Sequence, residues 1–356
     1  MIAIDGSYGE GGGQVLRTSL TLACLLGLPV RIEKIRAGRK KPGLQAQHLT
    51  GVRAVAKICD AKLDGDELGS QALTFVPQSL PRAGDYTFDI AEARKGGSAG
   101  STGLVLQTLL LPLAFADGTS HLTIKGGTHV AWSPPFHFLK HVYLPTLKRM
   151  GIEAEVEIER WGWYPIGGGV IKAAIKGAKG GDLAGLDLTE RGELKRLWGI
   201  SALSNLPMHI AERQKRQAED LLRQRGFDPQ IEIVNAPTKG QSTAVFLLAE
   251  YENIPAGFTA LGARGKRAER VAEEACQEFI EHHDSGACLD KHLADQLILP
   301  MALANGPSDF TTSEITQHLL TNVWVVERFL DVRFEVEGKE GDKGKVAVGK
   351  GGLSNV

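Results

Sequence analysis

Three stretches of the chain repeat one arrangement of apolar and polar positions. They are "GQVLRTSLTLACLLGLPVRIEKIRAGR" (residues 13–39), "GLVLQTLLLPLAFADGTSHLTIKGGTH" (residues 103–129) and "HLADQLILPMALANGPSDFTTSEITQH" (residues 292–318). Each opens on an apolar run at helical spacing and carries Arg17, Gln107 or Gln296 early in it. Each helix is expected to stop at a glycine: Gly27, Gly118 or Gly306. β-rich runs follow the first two, "VRIEKIRAG" and "HLTIKGG". A second helix is predicted in every copy, over residues 49–63, 136–151 and 319–330, with Pro134-Pro135 suiting the start of the middle one. Alternating strand patterns come next, clearest in "IEAEVEIERWGWYPIGGGVIKAAI" and "DVRFEVEGKEGDKGKVAVG".

This self-similarity predicts an α/β (α+β) fold whose main body is three βαβαββ-like repeats. Between copies two and three the pattern changes to "LKRLWGISALSNLPMHIAERQKRQAEDLLRQRG", "QIEIVNA", "STAVFLLAEY" and "RAERVAEEACQEFIEHH". That segment reads as a smaller inserted α/β domain, since inserts are tolerated where the chain leaves and re-enters at nearby points. The expected boundaries are 1–181 for repeats one and two, 182–283 for the insert and 284–356 for the third repeat. Arg17, Gln107 and Gln296 fall at matching places in greasy helices, which predicts three polar groups converging from three units.

Composition narrows the function classes. The chain has 356 residues, 42 % hydrophobic and 23 % charged, with a formal net charge of −1. A chain so balanced exerts no global pull on nucleic acid, so any such contact needs a local basic patch. The four cysteines, Cys24, Cys59, Cys276 and Cys288, are scattered without zinc spacing and read as buried thiols in a reducing compartment. The start "MIAIDG" reads as a strand rather than an export signal. The most apolar run, residues 104–116, is too short to span a bilayer and contains Gln107 and Pro112. No membrane partner is expected, and the location is expected to be cytoplasmic, or nuclear in a eukaryote.

The candidate chemistry begins in "DGSYGEGGGQVLRTSL" (residues 5–20). A Walker loop would need a Lys-Ser/Thr pair after its last glycine, and the dinucleotide fingerprint would need glycine where Gln14 stands. What remains is a flexible strand-to-helix turn whose N–H groups can meet an anion. Glu10 beside it is a hard oxygen ligand for Mg2+ or Mn2+. Gln14 and Arg17, three apart, share one helix face. The loop at residues 31–48 carries Arg31, Lys34, Arg36, Arg39, Lys40 and Lys41 against one carboxylate, Glu33, and suits a polyphosphate or an RNA backbone as well as a solvated turn. The insert's basic runs alternate with acids and read as solvent faces. The pairs His137/His141 and His282/His283 read as surface residues. His318 sits at the place matching the Arg39 region of unit one, where a neutral imidazole can attack phosphorus, although position alone favours a structural histidine. No G-x-S-x-G elbow for a serine hydrolase is present.

Six collinear motifs, "DGSYGEGGGQVLRTSL", "IRAGRKKPGLQAQH", "GGSAGSTGLVLQTLLLPL", "GGTHVAWSPPFHFL", "HLADQL" and "TTSEITQHLLTN", resemble the RNA 3'-terminal phosphate cyclase family nearly end to end. The resemblance implies an ATP-dependent enzyme whose histidine attacks the α-phosphorus of ATP. The resulting histidyl-AMP passes its AMP to an RNA 3'-phosphate, and the adjacent 2'-hydroxyl then closes a 2',3'-cyclic phosphate and expels AMP. It implies His318 as nucleophile, Glu10 as ligand of the divalent cation, and Arg17, Arg36, Arg39 and Gln47 as contacts to phosphate or the RNA end. Gln14 and Gln107 would line the nucleotide pocket, and Asp295 and Gln296 would hold ribose and α-phosphate. Pro134 or Pro135 with His292, helped by Phe258, would clamp the adenine. The family can place an aromatic residue where this chain has His292, which bears on base preference. The resemblance implies ATP and Mg2+ or Mn2+ as cofactors, RNA with a 3'-terminal phosphate as partner, and leaves room for a homodimer. Its alternative is a non-catalytic, cyclase-like ribosome-assembly factor, which would lack the histidine.

Overall fold

The first strand, β1 (Ile2–Asp5), feeds through the glycine turn into helix α1 (Gly13–Leu26), and the rest of unit one follows as β2 (Val30–Glu33), α2 (Ala46–Cys59), β3 (Lys62–Asp64) and β4 (Leu73–Val76). These coordinates are a computed structural model and describe residues 1–94, 97–177, 182–236 and 238–349. Unit two runs through β5 (Asp85–Asp89), α3 (Thr102–Ala114) and β6 (Thr119–Gly126). It continues through α4 (Phe136–Phe138), a π turn at Leu139–Tyr143, α5 (Leu144–Arg149), β7 (Glu153–Arg160) and β8 (Gly169–Lys176). Unit three opens with β9 (Asp187–Leu188).

The insertion then supplies β10 (Leu194–Ser204), α6 (His209–Gln224), β11 (Pro229–Asn235), β12 (Ser242–Tyr251), β13 (Pro255–Leu261) and α7 (Ala268–Ser285). Unit three resumes with α8 (Lys291–Ala302), β14 (Ser308–Thr312), α9 (Gln317–Phe329), β15 (Phe334–Glu337) and β16 (Gly344–Val348).

The three units share one topology. Their sheets run β1-β2-β4-β3, β5-β6-β8-β7 and, read from the same end, β9-β14-β16-β15. In each, the first two strands are parallel across a helical crossover and the last two form an antiparallel hairpin that docks on the second. The insertion differs, with order β11-β10-β12-β13. Because β9 pairs in parallel with β14, the third unit begins before the insertion, not at residue 284, and the chain leaves it after its first strand. The expected boundary at 181 and the end at 356 lie outside the described residues.

Helix α1 stops where its pattern predicts: Gly27 takes the left-handed conformation (φ 63°) and its N–H returns to Ala23 O. The matching helices stop earlier than expected, at Phe115 and Leu303 instead of Gly118 and Gly306. Pro112 and Pro300 lie inside the last turns without ending them, since Phe115 N–H and Leu303 N–H still reach the carbonyls of Leu111 and Leu299 four residues back. Of the second helices, the middle one starts at Phe136 behind Pro135 as predicted, whereas the other two start early, at Ala46 and Gln317, with Gln45 and Thr316 as their N-caps. His318 is therefore the second residue of α9, in the place of Gln47 and His137, and does not match the Arg39 region.

Strand β12 joins the two bodies through its two-residue alternation. Val245, Leu247 and Ala249 belong to the insertion's core with Phe258 and Phe279, while Phe246 and Leu248 pack into the main core. The seam explains two corrections. His137 and His141, expected at the surface, line it: His137 Nδ1 lies 2.9 Å from His129 Nε2, and His141 meets Trp198 edge-on at 5.1 Å. His282, also expected at the surface, is 2 % exposed, and neither ring nitrogen has a hydrogen-bond partner among the described residues.

Burial first, then Arg191 and His283, push the His282 imidazole down to about 3. A folded value below the unfolded one gives stability that is complete above the ordinary imidazole range and drains away as pH falls towards 3. Between pH 6.5 and 5 this one ring costs about 2 kcal/mol. His282→Leu is expected to flatten the pH dependence of urea unfolding over that interval by about that amount. Parallel pH profiles for the two proteins would refute it.

Candidate active site

The N-terminus of α1 has no side-chain cap. Its N-cap is Gly12, which has no side chain to occupy the first-turn N–H groups, so those donors stay available to phosphate. By contrast, Asp290 caps α8 by accepting from the N–H groups of His292 and Leu293, and Thr316 caps α9 by accepting from Leu319.

Three helices meet at this point. Gln14 Nε2 donates to the backbone carbonyl of His318, which ties α1 to the first turn of α9. Thr18 Oγ1 donates to Asn322 Oδ1 (2.8 Å), and Asn322 Nδ2 donates to the Asp295 carbonyl (2.8 Å), which adds α8. The His318 side chain is 43 % exposed; its Nε2 contacts Glu10 Oε2, and its Nδ1 stands 3.9 Å from Asp295 Oδ2. Glu10 in turn holds Arg39 NH2 through Oε1 at 2.6 Å.

The electrostatics favour an uncharged imidazole. Partial burial holds His318 below its usual range, Glu10 opposes this, and Arg17 and Arg39 reinforce it. A neutral ring keeps a lone pair for attack on phosphorus. Burial pushes the Asp295 carboxyl up to about 8 against the pull of Arg17, with Asp290 and Glu10 adding to the rise. Burial also pushes Arg17 down to about 10, Asp295 opposing, so Arg17 remains a cation at neutral pH. His48, against the first turn of α1, is pushed down to about 3 by burial and then by Arg36 and Arg17.

The converging polar groups of units two and three meet directly. Gln107 Nε2 donates to Gln296 Oε1, and Gln296 Nε2 donates to the His292 carbonyl at 2.7 Å. Arg17 lies beside Asp295, one residue before Gln296. One turn before Gln107, a Cβ at Gly103 would fall 2.7 Å from the Pro134 carbonyl oxygen. Pro134 and Pro135 thus lie over the start of α3, half-buried. His292 is exposed and shares a cleft of about 90 Å3 with Phe258, Asp290 and Lys291. Phe258 itself is 3 % exposed in the insertion's core, so it offers that cleft an edge of a packed ring.

Two of the expected phosphate contacts have structural work. Arg36 NH1 donates to the carbonyls of Lys41 (2.6 Å) and Gly43 (2.9 Å), closing the basic loop on itself. Gln47 Oε1 accepts from Ser101 N–H (3.0 Å), holding the residue that caps α3. Arg39, through Glu10, reaches His318. Sequence reasoning passed over Asn322 and His48. Asn322 follows His318 by four residues, one turn along the same helix face, and that spacing was the available signal. His48 had none, because its role depends on contact with Gly13 from another segment.

The sequence profile of the family described as RNA 3'-terminal phosphate cyclase matches residues 8–336. The chain belongs to the RNA 3'-terminal phosphate cyclase family. Proteins named RNA 3'-terminal phosphate cyclase in Nostoc punctiforme, Methylococcus capsulatus and Pyrococcus furiosus are 53 %, 51 % and 43 % identical to it. The alignments cover 92 %, 98 % and 98 % of this chain and 94 %, 96 % and 98 % of those proteins. Among solved structures, the enolpyruvyl transferase NikO from Streptomyces tendae matches at 17 % identity with a TM-score of 0.29, over 50 % of this chain and 33 % of that one. Among the described residues no helix is long and apolar enough to cross a membrane.

In this member of the cyclase family, Gly13 is the residue that lets the parts approach. A Cβ there would lie 2.3 Å from His48 Nε2 and 3.2 Å from Arg17 NH1. Gly13→Ala is expected to cost about 1–3 kcal/mol in urea unfolding by overpacking this contact. A variant as stable as the parent would show that the His48 ring moves aside freely.

Proposed function

We propose that this chain is an ATP-dependent RNA 3'-phosphate cyclase working through a covalent histidyl-AMP. The observation that carries the reading is His318. It stands at the start of a capped helix, held below the usual imidazole range by burial, between Glu10 and Asp295 and opposite the open N-terminus of α1. A ring nitrogen of His318 forms a bond to the α-phosphorus of ATP as the Pα–O–Pβ bond breaks and pyrophosphate leaves. The AMP then passes from His318 to an oxygen of the RNA 3'-phosphate. Finally the 2'-hydroxyl attacks that phosphorus, its proton is lost, AMP leaves and the 2',3'-cyclic phosphate closes.

Phosphorus chemistry of this kind depends on positioning and on charge stabilisation. Gln14 and the Thr316 cap fix the His318 backbone, while Glu10 and Asp295 flank its ring. Arg17 and Arg39 bring positive charge to the developing phosphate charge. Gln107, Gln296, Pro134, Pro135, His292 and Phe258 form the walls against which a nucleoside would lie, and Asp295 faces its ribose. The Glu10 carboxylate, an oxygen donor beside both arginine and histidine, fits Mg2+ or Mn2+, which would neutralise polyphosphate charge there.

The direct test is incubation of the purified protein with α-labelled ATP and a divalent cation, followed by denaturation. Label retained on the chain, labile to acid and stable to alkali, is expected. A 3'-phosphorylated oligoribonucleotide should then acquire a phosphatase-resistant, cyclic end. A chain that never labels with any nucleotide or metal would refute the enzyme reading in favour of a binding protein.

A further inference from the structure

The loop that carries Glu10 also holds an aromatic stack that adenylyl transfer to His318 does not use. Tyr8 lies on Trp324 of α9 with ring centroids 3.9 Å apart and planes 10° from parallel. The Arg328 guanidinium, one turn further along α9, sits over the Trp324 ring at 5.2 Å. Trp324 is half-buried and packs partly against the main core, whereas Tyr8 remains 43 % exposed and Arg328 is exposed. The result is a ladder of cation, indole and phenol that ends at solvent on Tyr8.

Its backbone is fixed as firmly as its rings. Tyr8 N–H donates to the Asp5 carbonyl (3.2 Å) and Gly11 N–H donates to the Tyr8 carbonyl (3.0 Å). Gly9 is left-handed (φ 59°), and a Cβ there would fall on Thr321 Oγ1, so the chain can press this close to α9 only without a side chain. An exposed ring already held in one pose loses little freedom when a second ring covers it.

Charge and position select the ligand. The basic loop grips the Tyr8 segment at both ends, through Lys34 Nζ to Asp5 (2.9 Å) and Arg39 to Glu10 (2.6 Å), and presents Lys40 and Lys41 to solvent. An exposed aromatic beside a cationic track is the arrangement that binds single-stranded nucleic acid, the ring taking a base and the cations its backbone. Tyr8 precedes Glu10 by two residues, and Trp324 lies about 9 Å along α9 from His318.

We propose that Tyr8, backed by Trp324 and Arg328, is the stacking subsite for a base of the RNA strand just upstream of its 3'-phosphate, with Lys40 and Lys41 along the backbone. The subsite rests on the cyclase reading above. It selects by stacking and so accepts every base, with no hydrogen-bond readout.

Tyr8→Ala is expected to raise KM for a 3'-phosphorylated oligoribonucleotide about ten-fold with kcat within about two-fold, because one base–aromatic stack is lost. Labelling by ATP alone should stay at the parent level, and Tyr8→Phe, which keeps the ring, should behave as the parent. An oligonucleotide with abasic sites upstream of the end should lose the same factor on the parent and nothing more on Tyr8→Ala. An unchanged KM for Tyr8→Ala would overturn the subsite while leaving cyclisation intact. A matching loss of ATP labelling would also overturn it, by making the stack a brace for the Glu10 loop. A parent protein that neither labels nor cyclises would defeat the cyclase reading itself, a separate outcome.

Discussion

His318→Ala is expected to remove the covalent AMP adduct and to lower RNA cyclisation by about 10⁴-fold or more, the scale on which loss of a nucleophile is felt. Its effect on folding should be small. The side chain is 43 % exposed, and the contacts that anchor its position, from Gln14 to the carbonyl and from Thr316 to Leu319 N–H, belong to the backbone and survive the substitution. A change within about 0.5 kcal/mol in urea unfolding is expected for so exposed a site. The two measurements must therefore separate. Full cyclisation by this variant would remove His318 from the chemistry, whatever the family. Loss of the adduct together with a large fall in stability would make the imidazole a prop between Glu10 and Asp295. A third measurement strengthens the contrast: the variant should still bind a preadenylylated RNA and close its cyclic end, because that step needs no histidine nucleophile.

The repeats were legible because each unit must bury one face of two helices on one sheet, and that demand writes the same apolar period three times. The convergence of Gln107 with Gln296 could be anticipated for the same reason: a polar residue at one position of a buried helix returns at that position in its symmetry mate. Register within the repeats was harder. Helices α3 and α8 end at Ala114 and Ala302, short of the glycines, and His318 takes its counterparts, Gln47 and His137, from its place as second residue of α9. The histidines at the seam were misplaced for a different cause. An i,i+4 pair such as His137 and His141 looks solvated when its helix is read alone. It is enclosed only because Phe246 and Trp198 arrive from the insertion, more than fifty residues later in the chain. Contacts between segments so far apart in the chain leave no periodic trace in either. The same holds for His48 against Gly13, where shape decides and spacing says nothing.

Arg17→Ala should separate catalysis from stability in the opposite direction from a core substitution. Arg17 is half-buried, and deleting a buried partner is usually severe because it strands the opposite charge. Here the opposite group is not a committed anion. Burial pushes the Asp295 carboxyl up to about 8, so at pH 7 it is largely protonated and loses little when the guanidinium goes. The neighbour on the other side, His48, is neutral, held down to about 3 partly by Arg17 itself, so removal relieves it. With burial unchanged and one cation fewer, His48 should rise from that value, and less stability should be lost on acidification below pH 6. The fold should therefore cost about 1–2 kcal/mol, mostly from lost packing of the side-chain stem. Catalysis has no such compensation. A positive group aimed at developing phosphate charge in a sheltered site contributes about 10²–10³ in rate, and that factor is expected to disappear from kcat/KM for cyclisation. Arg17→Lys should recover little of it, since an ammonium does not reproduce the planar fork. If unfolding free energy and activity instead fell together, and Arg17→Lys restored both, Arg17 would be holding α1 against α8 and the phosphate charge would have to be met by Arg39.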